Sequence, residues 1–96
     1  MEKIEMKRVE GRKAGKVVLF ALSTCVWCRK TKKLLEDLGV AYEYVDVDLL
    51  EEDERECAER QIEKWNPSIS FPTIVIDDKK CVKGFRPEEL KEALGQ

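Results

Sequence analysis

The sequence predicts an α/β fold with a mixed four-stranded sheet flanked by helices, in the order strand, helix, strand, helix, strand, strand, helix. Two short runs, 17–22 and 71–76, are almost entirely apolar, as expected for strands buried inside a sheet. Two charge-rich segments carry apolar residues at helical spacing. Because crossovers between parallel strands are right-handed, we expect a parallel first half of the sheet, and the turn at 77–80 predicts an antiparallel hairpin.

Composition limits the domain count and the classes of partner. A chain of 96 residues with 43% hydrophobic content is enough for one compact domain and too short for a second. Its 18 basic and 20 acidic residues leave a formal charge of -2, so we expect no nucleic-acid partner. The absence of a long apolar run predicts no signal peptide, no membrane partner and a cytoplasmic location. In that reducing compartment, we expect the four cysteines to include functional thiols rather than to form two structural disulfides.

Residues 1–15 are interpreted as an N-terminal extension and residues 16–96 as the main domain. Ile4 and Met6 alternate, Val9 follows out of strict phase, and the stretch ends in a turn-prone segment with two glycines. A short extra strand and a loose arm are both compatible with this pattern.

The first helix follows the strand at 17–22. Ser23 and Thr24 can supply its N-cap, and Gly39 ends it. Five of its residues recur at helical spacing: Trp27, Thr31, Leu34, Leu35 and Leu38. Residues 40–48 then alternate well enough for a strand, with Tyr42 and Tyr44 on one side and Val45 and Val47 near the other.

The second helix is charge-rich and ends at Asn66-Pro67. Residues 71–76 predict the third strand, 81–83 a short antiparallel strand, and a terminal helix begins at Pro87. One face of the second helix is marked by Leu50, Cys57, Ala58, Ile62 and Trp65.

The motif Cys25-Val26-Trp27-Cys28 lies where the first helix begins. Two cysteines at this spacing lie about one helical turn apart, so their sulfurs can meet. The N-terminus of a helix favours a thiolate, and so do nearby cations, here Arg29, Lys30, Lys32 and Lys33. The pattern predicts thiol–disulfide exchange, in which Cys25 attacks a target disulfide and Cys28 resolves the mixed disulfide.

Zinc binding is the alternative for a CxxC pair, but it requires a second close pair. Cys57 and Cys81 stand alone and the chain has no histidine, so we expect no metal site within this chain. Cys57 is expected to be a buried helix residue. For Cys81, a core position and a peripheral thiol both stay open.

Pro72 opens the third strand, where a proline interrupts the hydrogen-bond ladder. With the CxxC motif and the order of elements, this proline makes the chain from about Lys16 onward resemble a glutaredoxin-like protein of the thioredoxin-fold superfamily. The resemblance implies a cis-proline at Pro72, facing the CxxC turn, with the backbone of Phe71 free to pair with a substrate chain. With Trp27 between the cysteines, the expected substrate-binding residues are Trp27, Phe71, Pro72, Thr73, Gly84, Phe85 and Arg86.

The motif Gly84-Phe85-Arg86-Pro87 departs from ordinary glutaredoxins, which carry a Gly-Gly pair here and a lysine before the first cysteine. The bulk of Phe85 would crowd a bound tripeptide. The run is similar to that of NrdH-type redoxins, glutaredoxin-like proteins that are reduced by thioredoxin reductase and commonly serve ribonucleotide reductase. The resemblance thus leaves glutathione and thioredoxin reductase as alternative electron donors.

We therefore expect a monomeric thiol–disulfide oxidoreductase that reduces disulfide-containing proteins through a redox-active Cys25–Cys28 disulfide, with no bound cofactor. The alternative is a module that binds a metal or an iron–sulfur cluster bridged between subunits through Cys25. A third function, the insertion of disulfides, fits the expected reducing compartment poorly.

Overall fold

A computed structural model describes residues 4–95. Residues 1–3 of the N-terminal extension, and Gln96 beyond the terminal helix, lie outside this range. The strands are β1 (Lys7–Val9), β2 (Val17–Ala21), β3 (Tyr42–Asp46), β4 (Thr73–Ile76) and β5 (Lys80–Lys83). The helices are α1 (Val26–Asp37), α2 (Glu52–Trp65) and α3 (Pro87–Ala93), with a short 3-10 turn at Val47–Leu49.

The five strands form one mixed sheet in the order β1-β3-β2-β4-β5. β2 and β3 are parallel, while β2–β4 and β4–β5 are antiparallel, as the sequence predicts. The short extra N-terminal strand is confirmed, because β1 pairs antiparallel with β3 at the sheet edge. Just after β1, Gly11 crosses so close to the segment that leads into β3 that a Cβ there would lie 2.7 Å from the backbone carbon of Val40.

The core has two layers, one on each face of the sheet. In β2, Val17, Leu19 and Ala21 face one layer, and Val18 and Phe20 face the other. The first layer receives α1 and α3 through buried side chains that include Leu35 and Leu90. The second receives α2 through Ala58 and Ile62. This double burial is why the sequence of β2 is apolar at every position.

Several element boundaries differ from the prediction. β3 ends at Asp46 because the chain tightens there into the 3-10 turn, and α2 begins only at Glu52, so Leu50 lies before the helix. β4 begins at Thr73 rather than at residue 71. The hairpin between β4 and β5 has both Asp77 and Asp78 in the left-handed region, with φ 55° and 52°, as in a type I′ turn.

The longest described helix, α2, has 14 residues. No helix between residues 4 and 95 combines the length and the apolar character needed to cross a bilayer.

Leu35 tests the contact of α1 with the sheet, because its side chain is completely buried. We expect Leu35→Ala to lower the free energy of unfolding by about 2–5 kcal/mol through lost burial and a residual cavity. Leu49→Ala is the matched control, since Leu49 is 66% exposed, and we expect little change. Urea denaturation measures both, and equal effects would contradict this packing.

Candidate active site

Cys25 is the N-cap of α1. Its backbone is extended, with φ -86° and ψ 117°, and its Sγ accepts a hydrogen bond from the backbone N–H of Cys28 at 3.1 Å. The prediction that Ser23 or Thr24 caps this helix was wrong. The first cysteine takes the capping role itself, so the sulfur lies at the positive end of the helix.

Ser23 has a different partner, the carboxylate of Asp48. The backbone N–H of Ser23 donates to Asp48 Oδ1 at 2.8 Å, and its hydroxyl donates to Oδ2. These hydrogen bonds lower the pKa of Asp48. Sequence reasoning missed this contact, although one signal was present: the two residues follow parallel neighbouring strands, whose carboxyl ends meet at one edge of the sheet. Asp48 thereby anchors the loop that carries Cys25.

The two cysteines differ in their access to solvent. Cys25 is half-buried, whereas Cys28 is completely buried in the layer between α1 and the sheet. Burial, followed by the hydrogen bond with the Cys25 thiol, raises the pKa of Cys28 to about 12. The resting Cys28 thiol is therefore a poor source of an attacking thiolate.

The predicted cations of α1 do not act as one group. Lys32 turns towards β3, where its Nζ lies 3.0 Å from Asp46 Oδ1 and 4.2 Å from the ring centre of Tyr44. This ion pair is largely buried, with side-chain exposures of 19% and 12%. Arg29, Lys30 and Lys33 are exposed instead.

Pro72 lies at the same end of the sheet as the cysteine pair. The Phe71–Pro72 peptide bond is cis. Thr73 pairs with Phe20 near the carboxyl end of β2, which leads into the loop of Cys25. The loop after β5 is tied to this point, because the N–H of Gly84 donates to the carbonyl of Pro72 at 2.8 Å.

Asn66 fixes the loop that carries Pro72, a role that the sequence did not indicate. Its side-chain amide donates to Ser70 Oγ at 2.8 Å and to Thr73 Oγ1 at 3.1 Å. The Thr73 hydroxyl in turn donates to the carbonyl of Ser70 at 2.7 Å. Because Asn66 and Thr73 are buried, these internal bonds fix the loop and engage the Thr73 side chain. The sequence signal, Asn66-Pro67, indicated only the end of α2.

Among the other predicted substrate-binding residues, Trp27 and Phe85 are in contact. Their rings stack at 5.7 Å with an interplanar angle of 28°, and Lys30 Nζ lies 4.8 Å from the centre of the Trp27 ring. Gly84 adopts a φ of 81°, with open space where a Cβ would be. Arg86 is exposed, and its Nε donates to the carbonyl of Lys83.

The remaining cysteines lie apart from this pair. Cys57 is buried on α2, as expected, and accepts a weak hydrogen bond from Gln61. Cys81 is half-buried in β5, and burial raises its pKa. Across residues 4–95, no three side chains of the metal-ligating types come close enough together to hold a metal ion.

Comparison with known proteins places this geometry in a family. The family model for glutaredoxin matches residues 17–81. The chain belongs to the glutaredoxin family. The crystal structure of methanoredoxin from Methanosarcina acetivorans is 51% identical and superimposes with a TM-score of 0.91, covering 100% of both chains. The glutaredoxin from Methanosarcina mazei Go1 is 50% identical, with a TM-score of 0.90 over 99% of this chain and 92% of that one.

More distant relatives match a shorter segment. Glutaredoxin 1 of Rickettsia conorii is 32% identical over 62 residues, which make up 65% of this chain and 58% of the relative. The match thus spans about three fifths of the rickettsial relatives' length. The resemblance to glutaredoxins and the thioredoxin-like fold are confirmed, whereas the NrdH-like features stay a prediction.

The difference between the two thiols can be measured by alkylation of the native protein near pH 8. We expect rapid labelling of Cys25 and slow labelling of Cys28, because Cys28 is buried and its pKa is raised to about 12. In concentrated urea Cys28 should return to its ordinary pKa of 9.0 and react readily. Comparable native rates at the two sites, counted by peptide mass spectrometry, would contradict the buried position of Cys28.

The same raised pKa predicts how stability depends on pH. The folded state holds the Cys28 proton more tightly than the unfolded chain does. The stabilisation that comes from the protonated Cys28 thiol is therefore full below its ordinary pKa of 9.0 and is lost as the pH rises towards about 12. Urea denaturation between these pH values should show a smaller decline in Cys28→Ala than in the unmodified chain.

Proposed function

We propose that this glutaredoxin-family protein reduces protein disulfides by dithiol exchange, with Cys25 as nucleophile and Cys28 as resolving thiol. The observation that carries the proposal is the position of Cys25. Its sulfur caps α1, accepts the Cys28 N–H at 3.1 Å and is the more accessible of the two. A helix N-terminus stabilises the thiolate that attacks a disulfide, without a histidine base.

The exchange proceeds in two displacements. The Cys25 thiolate attacks one sulfur of the target disulfide, which forms a mixed disulfide and expels the other target sulfur as a thiolate. The Cys28 thiol then gives its proton to the expelled target thiolate and attacks the Cys25 sulfur, which releases the second target thiolate. The target gains two electrons and, after protonation, two thiols. The protein is left with a Cys25–Cys28 disulfide that an external donor must reduce.

Substrate binding is assigned to the surface around the pair. The backbone of Phe71, next to Pro72, is expected to pair with an extended substrate segment. Trp27 and Phe85 offer stacked aromatic faces beside Cys25. Gly84, whose N–H bonds the carbonyl of Pro72, has open space where a Cβ would be. Thr73 contributes indirectly, by fixing the start of β4 next to Pro72, since its hydroxyl bonds Ser70 and its backbone is flanked by β2 and β5. Arg86 is exposed, and the guanidinium N–H groups other than Nε, which bonds the Lys83 carbonyl, are proposed to bind an anionic group.

The donor is proposed to be a reductase of the thioredoxin reductase kind rather than glutathione, and ribonucleotide reductase is one candidate target. Phe85 supports this choice, because its ring lies against Trp27 where ordinary glutaredoxins have a second glycine. That ring would occupy space that a bound tripeptide needs.

Two single substitutions separate the proposed roles of the cysteines. We expect Cys25→Ser to abolish disulfide reduction, because no other accessible thiol lies at the helix N-terminus. Cys28→Ser should still attack once and accumulate a mixed disulfide, since the resolving thiol is missing. Mass spectrometry of each variant after reaction with a protein disulfide provides the measurement. Unchanged turnover in Cys25→Ser would refute the proposal.

Phe85→Gly tests the donor. The substitution recreates the glycine pair at 84–85, so we expect millimolar glutathione to reduce the oxidised variant at least about tenfold faster than the unmodified protein. Lys79→Ala is the control, because Lys79 is exposed in the β4–β5 hairpin, at the opposite end of β4 from Pro72. Equal rates in all three proteins would mean that Phe85 does not limit the use of glutathione.

A further inference from the structure

A groove runs along the outer face of α1, beside the cysteine pair. Its volume is about 480 Å³, and we call it the α1 groove. Asp37 closes the end away from the cysteines. The remaining lining residues are Val26, Arg29, Lys30, Lys33, Leu34 and Phe85.

The end of the α1 groove near Cys25 is apolar, because Val26 and Phe85 line it and Trp27 stacks on Phe85. Large apolar side chains are otherwise well covered in this protein: only Val26, Trp27 and Leu49 are strongly exposed among residues 4–95. Two of these three lie between the cysteines, with exposures of 50% and 51%. Exposed apolar surface concentrated at a reactive sulfur favours contact with an apolar side chain of a partner.

The rim of the α1 groove is positively charged. Arg29 forms no ion pair with any residue in 4–95, and Lys30 lies over the Trp27 ring. The carboxylate of Asp37 lies 3.2 Å from Lys33 Nζ and offsets one of the three cations. The chain as a whole carries a formal charge of -2, so this positive patch opposes the net charge. A local field of this kind selects acidic partners and repels basic ones.

We propose that the α1 groove binds the substrate segment beside the target disulfide, and that this segment carries a bulky apolar residue next to the reacting cysteine and acidic residues beyond it. The inference rests on the proposed disulfide reduction and names its substrate class. Arg29 and Lys33 lie roughly 6 and 12 Å along the helix from Cys25, at 1.5 Å per residue. An extended chain at about 3.3 Å per residue places the matching carboxylates about two to four residues from the substrate cysteine.

The test uses three peptide disulfides with a leucine beside the reacting cysteine. They differ only in carrying glutamate, glutamine or lysine at the second to fourth positions from it. With reduced protein, we expect the glutamate peptide to react about tenfold or more faster than the lysine peptide. The difference should shrink as salt is added, because surface charges are screened.

Charge reversal identifies the groove as the source of the preference. Arg29→Glu combined with Lys33→Glu should reverse the order of the peptides, and Arg29→Gln with Lys33→Gln should make the rates similar. Lys79→Glu with Lys80→Glu is the matched control, because it changes the net charge equally at the exposed β4–β5 hairpin. The control should keep the original order.

A second pair of peptides tests the apolar part of the α1 groove. Val26→Ser should lower the ratio of rates between a leucine and a glycine peptide by about threefold or more, since less apolar area is buried. An unchanged order of the charged peptides after reversal, or an equal loss for all three, would overturn the docking proposal while leaving disulfide reduction intact. Failure of the unmodified protein to reduce any peptide or any protein disulfide would instead overturn the proposed function.

Discussion

The first turn of α1, seated on the carboxyl end of β2, is the constraint on which the rest of the site depends. It requires Cys28 to be buried against the sheet while Cys25 stays at the helix N-terminus, half-open to solvent. One hydrogen bond, from the Cys28 N–H to the Cys25 sulfur, joins the two positions. The same turn therefore creates an accessible sulfur at a positive helix end and a buried partner whose pKa is raised to about 12.

Two polar anchors hold the loops on either side of this turn. Asp48 receives both hydrogen bonds of Ser23 and fixes the approach to Cys25. Asn66 binds Ser70 and Thr73 and fixes the approach to Pro72. Both anchors come from the segments that flank α2, so the helix on the opposite face of the sheet also determines the geometry of the site. An exchange site needs this rigidity, because the Cys25 sulfur must attack in line with the bond of the target disulfide that it breaks.

Features that depend on local sequence were predicted correctly, whereas features that depend on contacts outside regular helices and strands were missed. β2 is recognisable because both faces of one strand are buried, and the CxxC spacing places two sulfurs on one helical turn; both are local properties. The N-cap was mispredicted for a tertiary reason, since Asp48, 25 residues away, binds the serine that could otherwise cap the helix. The stacking of Phe85 on Trp27 likewise joins separate segments. The Asn66 network spans only residues 66–73, but it lies in an irregular loop, which has no helical or strand periodicity from which to predict it.

The surface of α1 adds specificity to this reactive centre. Cations that look equivalent in sequence divide into Lys32, which is buried against Asp46, and an exposed set that borders the α1 groove. The buried pair belongs to the packing of α1 on β3. In the docking that we propose, the exposed set contacts the substrate segment beside Cys25, so one helix would serve both reactivity and recognition.

Disulfide mapping of the oxidised protein tests the central claim most directly. The protein is oxidised mildly, its free thiols are blocked, and its peptides are identified by mass spectrometry without reduction. The dithiol account predicts a single intramolecular disulfide between Cys25 and Cys28, with Cys57 and Cys81 recovered as blocked thiols. A disulfide that joins Cys25 to Cys57 or Cys81, or a Cys28 that stays free while Cys25 is oxidised, would contradict it.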